Sequence, residues 1–240
     1  MQYGKDFKEV QAAREKYSPI WGAWTGEFPQ PNEWIHLWRY KNLQERFEAR
    51  AAADVRVLRA TFARRDGVVT RDMEATGAGV PVPVRIYRPQ AMEGRTGLPV
   101  LIYYHGGGMV VGSIETVDPH CRWLCAELGC AVVSVGYRLA PEHKFPAAVD
   151  DGITATAWVQ DHATDFGGDA RRLALVGESA GATLVATTSV WLRDQGRAQP
   201  SLQALIYGGL DAATDGPSWD RLGEGYFLTR AKCQWFMDQY

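Results

Sequence analysis

Leu173-Ala174-Leu175-Val176-Gly177-Glu178-Ser179-Ala180-Gly181-Ala182 is the stretch on which the fold turns. An apolar run of strand character ends at a glycine, a serine follows, and a helix-forming stretch to Gln195 begins at once. This strand–turn–helix setting is what a Gly-x-Ser-x-Gly nucleophile elbow requires. The sharp turn exposes the Ser179 hydroxyl, and the flanking glycines relieve crowding around it. The small residues Ala180, Gly181 and Ala182 let the helix lie close to the sheet. The Ala180 N–H, at a helix N-terminus, then forms one side of an oxyanion hole.

A second loop of the same kind lies upstream. His105-Gly106-Gly107-Gly108 follows the continuous apolar run Val100-Leu101-Ile102-Tyr103-Tyr104, as expected of a strand buried on both faces. Three glycines have no side chains to keep a ligand from the main chain, so their N–H groups can face a developing negative charge. Around the two loops, strands are predicted at 131–135, 172–176 and 202–207, and helices at 116–128, 146–162 and 180–195. Strands alternating with helices imply a mostly parallel sheet with helices on both faces. Ahead of it, 68–70 and 80–87 alternate as strands do, with Gly77 and Gly79 at the turn. The stretch 229–240 begins an amphipathic helix with Cys233, Phe236, Met237 and Tyr240 on its apolar side.

The N-terminal stretch reads as a helical arm. Phe7, Val10 and Tyr17 share a helical face. Asn32 caps a second helix with Trp34, Leu37, Trp38, Leu43 and Phe47 as its stripe, and Trp21 and Trp24 lie between the two. The arm either packs on the main body or acts as a lid. The expected organisation is a cap or lid arm over 1–60, an incomplete α/β core over 61–210, and a second cap segment over 211–240.

Composition narrows the function. The chain has 240 residues, with 26 basic and 28 acidic side chains and a net charge of -2. That disfavours a partner held through nucleic-acid phosphates. No apolar run reaches the roughly 18 residues of a membrane span, and the first residues do not resemble a signal peptide. Cys121, Cys125, Cys130 and Cys233 have neither zinc-site nor disulfide-framework spacing. Reduced, mostly buried thiols in a cytoplasmic protein are expected. No Gly-x-Gly-x-x-Gly follows the first strand of the alternating region, and Met109-Val110-Val111 follows the glycine loop, which excludes a Rossmann-type dinucleotide enzyme.

Taken together, these motifs resemble the bacterial esterases related to hormone-sensitive lipase, within the α/β-hydrolase superfamily. The resemblance is carried by residues 105–108, Gly112-Ser113, Cys121-Arg122, Tyr137-Arg138-Leu139-Ala140-Pro141-Glu142, residues 145–151 and the serine elbow. Leu205-Ile206-Tyr207, residues 225–229 and Trp235-Phe236 extend it. It implies an α/β-hydrolase fold with a helical cap, and hydrolysis of carboxylic esters with short acyl chains, with no metal or organic cofactor. It also implies Ser179 as nucleophile and Gly106, Gly107 and Ala180 as oxyanion donors, with Gly108 sharing that role. His105 is implied as a structural support of the glycine loop, and Glu178 stands beside the nucleophile as a further support. Glu178 departs from the Asp or Thr usual there, Gly136 from Asp, and Gly208 from Pro. Gly-Glu-Ser-Ala-Gly also resembles type-B carboxylesterases, which are about twice as long and lack the Tyr-Arg-Leu-Ala-Pro-Glu segment.

A serine hydroxyl needs a base, and the base needs an acid to orient it. The chain order in α/β-hydrolases is Ser, then Asp or Glu, then His. The histidines here are His36, His105, His120, His143 and His162, and all precede Ser179. Asp211 is the one candidate for the acid, though a solvated loop carboxylate is the favoured reading of it. The expectation is a chain lacking the last two strands with the acid and histidine they carry, nearly inactive alone, and with strand 202–207 as an open edge. The alternative is a non-catalytic ligand-binding receptor on the same fold, like the plant gibberellin receptors. Oligomeric state stays open.

Overall fold

A computed structural model describes residues 20–25, 34–38, 66–211, 216–224 and 228–240. The chain divides into two units, Met1–Arg64 with Pro217–Arg230, and Arg65–Gly216 with Ala231–Tyr240. In the first unit, β1 (Ile20–Thr25) pairs antiparallel with β2 (Trp34–Trp38). This corrects the expected helix after Asn32, since Trp34, Leu37 and Trp38 lie on a strand. Their spacing fits a helical stripe, but so short a segment, with Trp34, Ile35, Leu37 and Trp38 apolar, does not distinguish the two periods. Aromatic and β-branched residues favour the strand where a partner strand is within reach, here 20–25. Phe7, Val10, Tyr17, Asn32, Leu43 and Phe47, with the rest of the expected arm, lie outside the described residues.

The second unit is built on a six-stranded sheet. Its strands are β3 (Val68–Ala75), β4 (Val82–Pro89), β5 (Leu98–Tyr104), β6 (Ala131–Val135), β7 (Gly168–Glu178) and β8 (Leu202–Ile206), in the order β3-β4-β6-β5-β7-β8. The pairs β3–β4 and β4–β6 are antiparallel, while β6–β5, β5–β7 and β7–β8 are parallel. The sheet is therefore mostly parallel, as the strand–helix alternation predicts.

Side chains alternate across β5 and feed two cores. Val100, Ile102 and Tyr104 join Leu173 and Leu175 on one face, under α2 (Ala147–His162) and α3 (Ala180–Asp194), which supply Ala148, Ala155, Val159, Leu184 and Val185. Leu101 and Tyr103 join Val132 and Val176 on the other face, under Val117, Cys121 and Cys125 of α1 (Ile114–Leu128). Ser113 starts α1 with a reciprocal cap: its hydroxyl accepts from the Thr116 N–H, and its own N–H donates to the Thr116 hydroxyl. Asp118, buried on α1, accepts from the Tyr87 hydroxyl at 3.1 Å and from Arg122 at 2.7 Å, which ties the helix to β4.

Among the described residues, the outer strands of the sheet are β3 and β8. Leu202, Leu205 and Ile206 on β8 are exposed. A short helix, α4 (Pro217–Leu222), which the sequence reading did not separate, belongs to the first unit, where Arg230 bonds Asp220 at 2.8 Å. The amphipathic C-terminal helix is α5 (Arg230–Gln239).

Candidate active site

Parallel pairing brings the two loops together. Tyr104 on β5 lies opposite Gly177 on β7, so both strands end at the same level and their loops emerge side by side. Gly181 allows α3 to start there: a Cβ on it would sit 2.0 Å from the Tyr104 carbonyl oxygen. Gly106 faces the elbow directly, since a Cβ on it would lie 3.4 Å from the Ser179 Cβ and 3.2 Å from the Glu178 carbonyl oxygen.

The elbow is strained. Ser179 has φ 51° and ψ −119°, a conformation disfavoured for a side chain with a Cβ. Two backbone bonds hold it there: its N–H donates to the Ile206 carbonyl at 2.9 Å, and its carbonyl accepts from the Ala182 N–H at 3.0 Å. Ser179 and the three glycines of the loop are half-buried, so the seryl side chain is not sealed in the core. Among the described residues, the non-glycine positions with positive φ are Met109 (60°), Ser179 (51°) and Tyr207 (40°). One follows the glycine loop, one is the elbow, and one follows β8 beside the elbow. Backbone strain of this kind gathers at functional sites.

The glycine loop is shaped from beneath. Gly107 has φ 124°, and a Cβ on it would sit 2.0 Å from the Val111 carbonyl oxygen, so a side chain there is excluded. Its carbonyl accepts from Val110 and Val111 at 3.1 and 2.9 Å. His105 is buried, with Nδ1 2.7 Å from the Gly106 carbonyl oxygen and its ring stacked on Tyr137 at 4.2 Å. The Tyr137 hydroxyl donates to the His105 carbonyl at 2.6 Å. Burial pushes the Tyr137 hydroxyl far above its ordinary pKa and keeps it a neutral donor.

Glu178 lies between the two loops. Its carboxylate accepts from the Gly106 N–H at 3.4 Å and from the Tyr207 hydroxyl at 2.7 Å. From α5, the Phe236 ring packs against Gly108, where a Cβ would meet it at 2.5 Å. The end of α5 is pinned by the Phe145 N–H, which donates to the Tyr240 carbonyl at 2.9 Å, and by the edge of Tyr240 against Phe145. Sequence reasoning did not single out Tyr207 or Phe236 for the site. Register held the signal for Tyr207, because Glu178 pairs with Ile206 and the next residue must flank the elbow.

The histidines lie elsewhere. His120 is exposed on α1, His162 ends α2, and His143 is exposed in the loop after β6, a strand that β5 separates from β7. The His36 side chain lies outside the described residues, and Asp211 is exposed after β8. Among the described residues, no three His, Cys, Asp or Glu side chains gather as a metal site. No described helix is long and apolar enough to cross a membrane.

Comparison with known proteins places this geometry. A family model described as alpha/beta hydrolase fold matches residues 101–240, and a second, described as NIPSNAP, matches residues 1–76. An ethyl acetate hydrolase of Pseudomonas putida is 42% identical over 69% of this chain and 52% of its own length. The carboxylic ester hydrolase LipN of Mycobacterium tuberculosis is 39% identical over 70% of this chain and 46% of its own. A solved ester-hydrolase from the metagenome of Lake Arreo, complexed with a derivative of bipyridine phosphonate, superposes with a TM-score of 0.73. It is 41% identical and covers 81% of this chain and 61% of its own. The chain thus spans about half the length of the curated relatives it matches.

Proposed function

The chain belongs to the α/β-hydrolase fold family, and from that premise we propose that the whole protein is a serine hydrolase of carboxylic esters with short acyl chains. One observation carries the reading: Ser179 is held at positive φ at a strand end, directly against a glycine loop. The relatives named ester hydrolases support the bond type, and the one named ethyl acetate hydrolase supports a short acyl group.

In the proposed reaction the Ser179 oxygen attacks the ester carbonyl carbon while its proton passes to a base. The carbonyl oxygen becomes an anion beside the amides of Gly106, Gly107, Gly108 and Ala180, where fixed donors stabilise it without reorganising. Collapse expels the alcohol, which takes the proton back, and leaves an acyl-enzyme that water hydrolyses by the same steps. His105 supports the loop rather than accepting the proton, in keeping with its burial beneath Gly106. No histidine follows Ser179 in the sequence, so the base and its acid are proposed to come from outside these 240 residues. Without them, only the roughly 10³–10⁴-fold acceleration of an oxyanion hole and binding remains. The free thiols of Cys121, Cys125 and Cys130 favour a reducing compartment such as the cytoplasm.

The test is hydrolysis of nitrophenyl esters of increasing acyl length by the whole protein. Ser179→Ala is expected to lower kcat by about a million-fold, and the shortest esters should give the highest kcat/KM. Turnover within tenfold of the parent in Ser179→Ala removes the nucleophile, and a preference for long chains removes the substrate class.

A further inference from the structure

We propose that Glu178 is a positioning residue whose carboxylate, shared between the Gly106 amide and the Tyr207 hydroxyl, sets the distance between the glycine loop and the Ser179 oxygen. The inference rests on reading Ser179 as the nucleophile and goes beyond it, because it names what holds the two halves of the site in register.

Three strands meet at this carboxylate. Glu178 ends β7, Gly106 belongs to the loop after β5, and Tyr207 follows β8. The Tyr207 bond at 2.7 Å is short and charge-assisted, whereas the Gly106 bond at 3.4 Å is long. Tyr207 therefore fixes the carboxylate, and the fixed carboxylate sets the loop. Tyr207 accepts a left-handed backbone, φ 40°, in the position from which its hydroxyl reaches Glu178. That geometry is costly for a non-glycine residue and accompanies a bond directed at the elbow.

Side-chain length matters here. Aspartate is one methylene shorter, and with Glu178 in place the amide contact is already 3.4 Å.

The test is binding of phenylboronic acid to the protein, read by boron NMR as the tetrahedral adduct on Ser179, with the thermal unfolding midpoint measured for every variant. The parent is expected to form the adduct and Ser179→Ala to form none. Glu178→Ala should weaken it about ten- to hundred-fold, the scale of a lost charge-assisted hydrogen bond. Glu178→Gln keeps an acceptor for Gly106 and should lie within about threefold of the parent, a rescue that a general structural role would not produce. Tyr207→Phe removes a single hydroxyl and should fall between the two, which keeps the proposal testable if Glu178→Ala fails to fold. Parent-like affinity in both Glu178→Ala and Tyr207→Phe overturns the positioning role. So does equal weakening by Gln and Ala at unchanged unfolding midpoints, since charge rather than the bridge would then be responsible. An adduct that persists in Ser179→Ala overturns the nucleophile reading instead.

Discussion

The middle of the second unit's sheet and its β8 edge are written in similar residues and end in different states. Every residue of β6 is buried, and β5 contributes Ile102 and Tyr104 at 0% exposure. On β8, Leu202 is 55% exposed and Leu205 37%. Apolar character makes a strand in both places, but β5 and β6 have a strand on either side, while β8, among the described residues, pairs with β7 alone. The middle has helices on both faces and carries the stability. The edge gives the site position instead, through the Ile206 carbonyl on the Ser179 N–H and Tyr207 on Glu178.

The sharpest way to break this contrast is at the seam between sheet and helix. Gly181→Val drives a Cβ to within 2.0 Å of the Tyr104 carbonyl oxygen, with no flexible side chain to give way. A loss of about 4–5 kcal/mol or more is expected, the range of severe core damage. Circular dichroism should show no cooperative melt, and a parent-like melt would mean that α3 does not lie where described. Next in size is a paired truncation. Leu175→Ala, at 0% exposure, should cost about 2–5 kcal/mol in urea unfolding. Leu205→Ala on the edge should cost less than about 1 kcal/mol. Equal costs would erase the distinction between middle and edge.

A third effect follows from the thiols beneath the middle strands. Burial pushes Cys125 up to about 12 and Cys130 up to about 11, from 9.0, and Cys121 higher still. A pKa raised by folding stabilises fully below the unfolded value and loses that contribution as pH rises through the folded one. Stability should therefore hold to about pH 9 and decline from there toward pH 11–12. Denaturant midpoints across that range check it, and a rising midpoint would contradict it. The smallest effect should come from Leu205→Lys, expected to change stability by no more than about 0.5 kcal/mol. A charge on an open edge should also reduce self-association in sedimentation. Unchanged association would show that the edge is not a sticky surface.

Legibility in the sequence divides along the same line. β5 and β6 are readable because both faces are covered, which leaves an unbroken apolar run, and the glycine loop and elbow are readable because their residue types have few other uses. The strand Trp34–Trp38 is not, because Trp34, Leu37 and Trp38 suit a helical stripe as well as a strand, and pairing with 20–25 decides the matter. Glu178 reads as a neighbour of the nucleophile, yet its bonds to Gly106 and Tyr207 span 72 and 29 residues, beyond what local pattern conveys. Phe236 reads only as part of an apolar helix face, because nothing local tells that this face meets Gly108.

The irregular pairing at the base of β5 and β7 has a consequence for length variation. Between Pro99 opposite Asp169 and Val100 opposite Leu173, β5 advances one residue and β7 four. The extra residues on β7 act as slack at the foot of a ruler. Added or lost residues there can be taken up before the regular ladder begins at Val100. Above it the ladder runs unbroken to Tyr104 opposite Gly177, and one added residue would carry Ser179 about 3.3 Å past the glycine loop. Indels tolerated at 170–172 and lethal to turnover at 173–178 would be the mark of a sheet that measures out its own catalytic spacing.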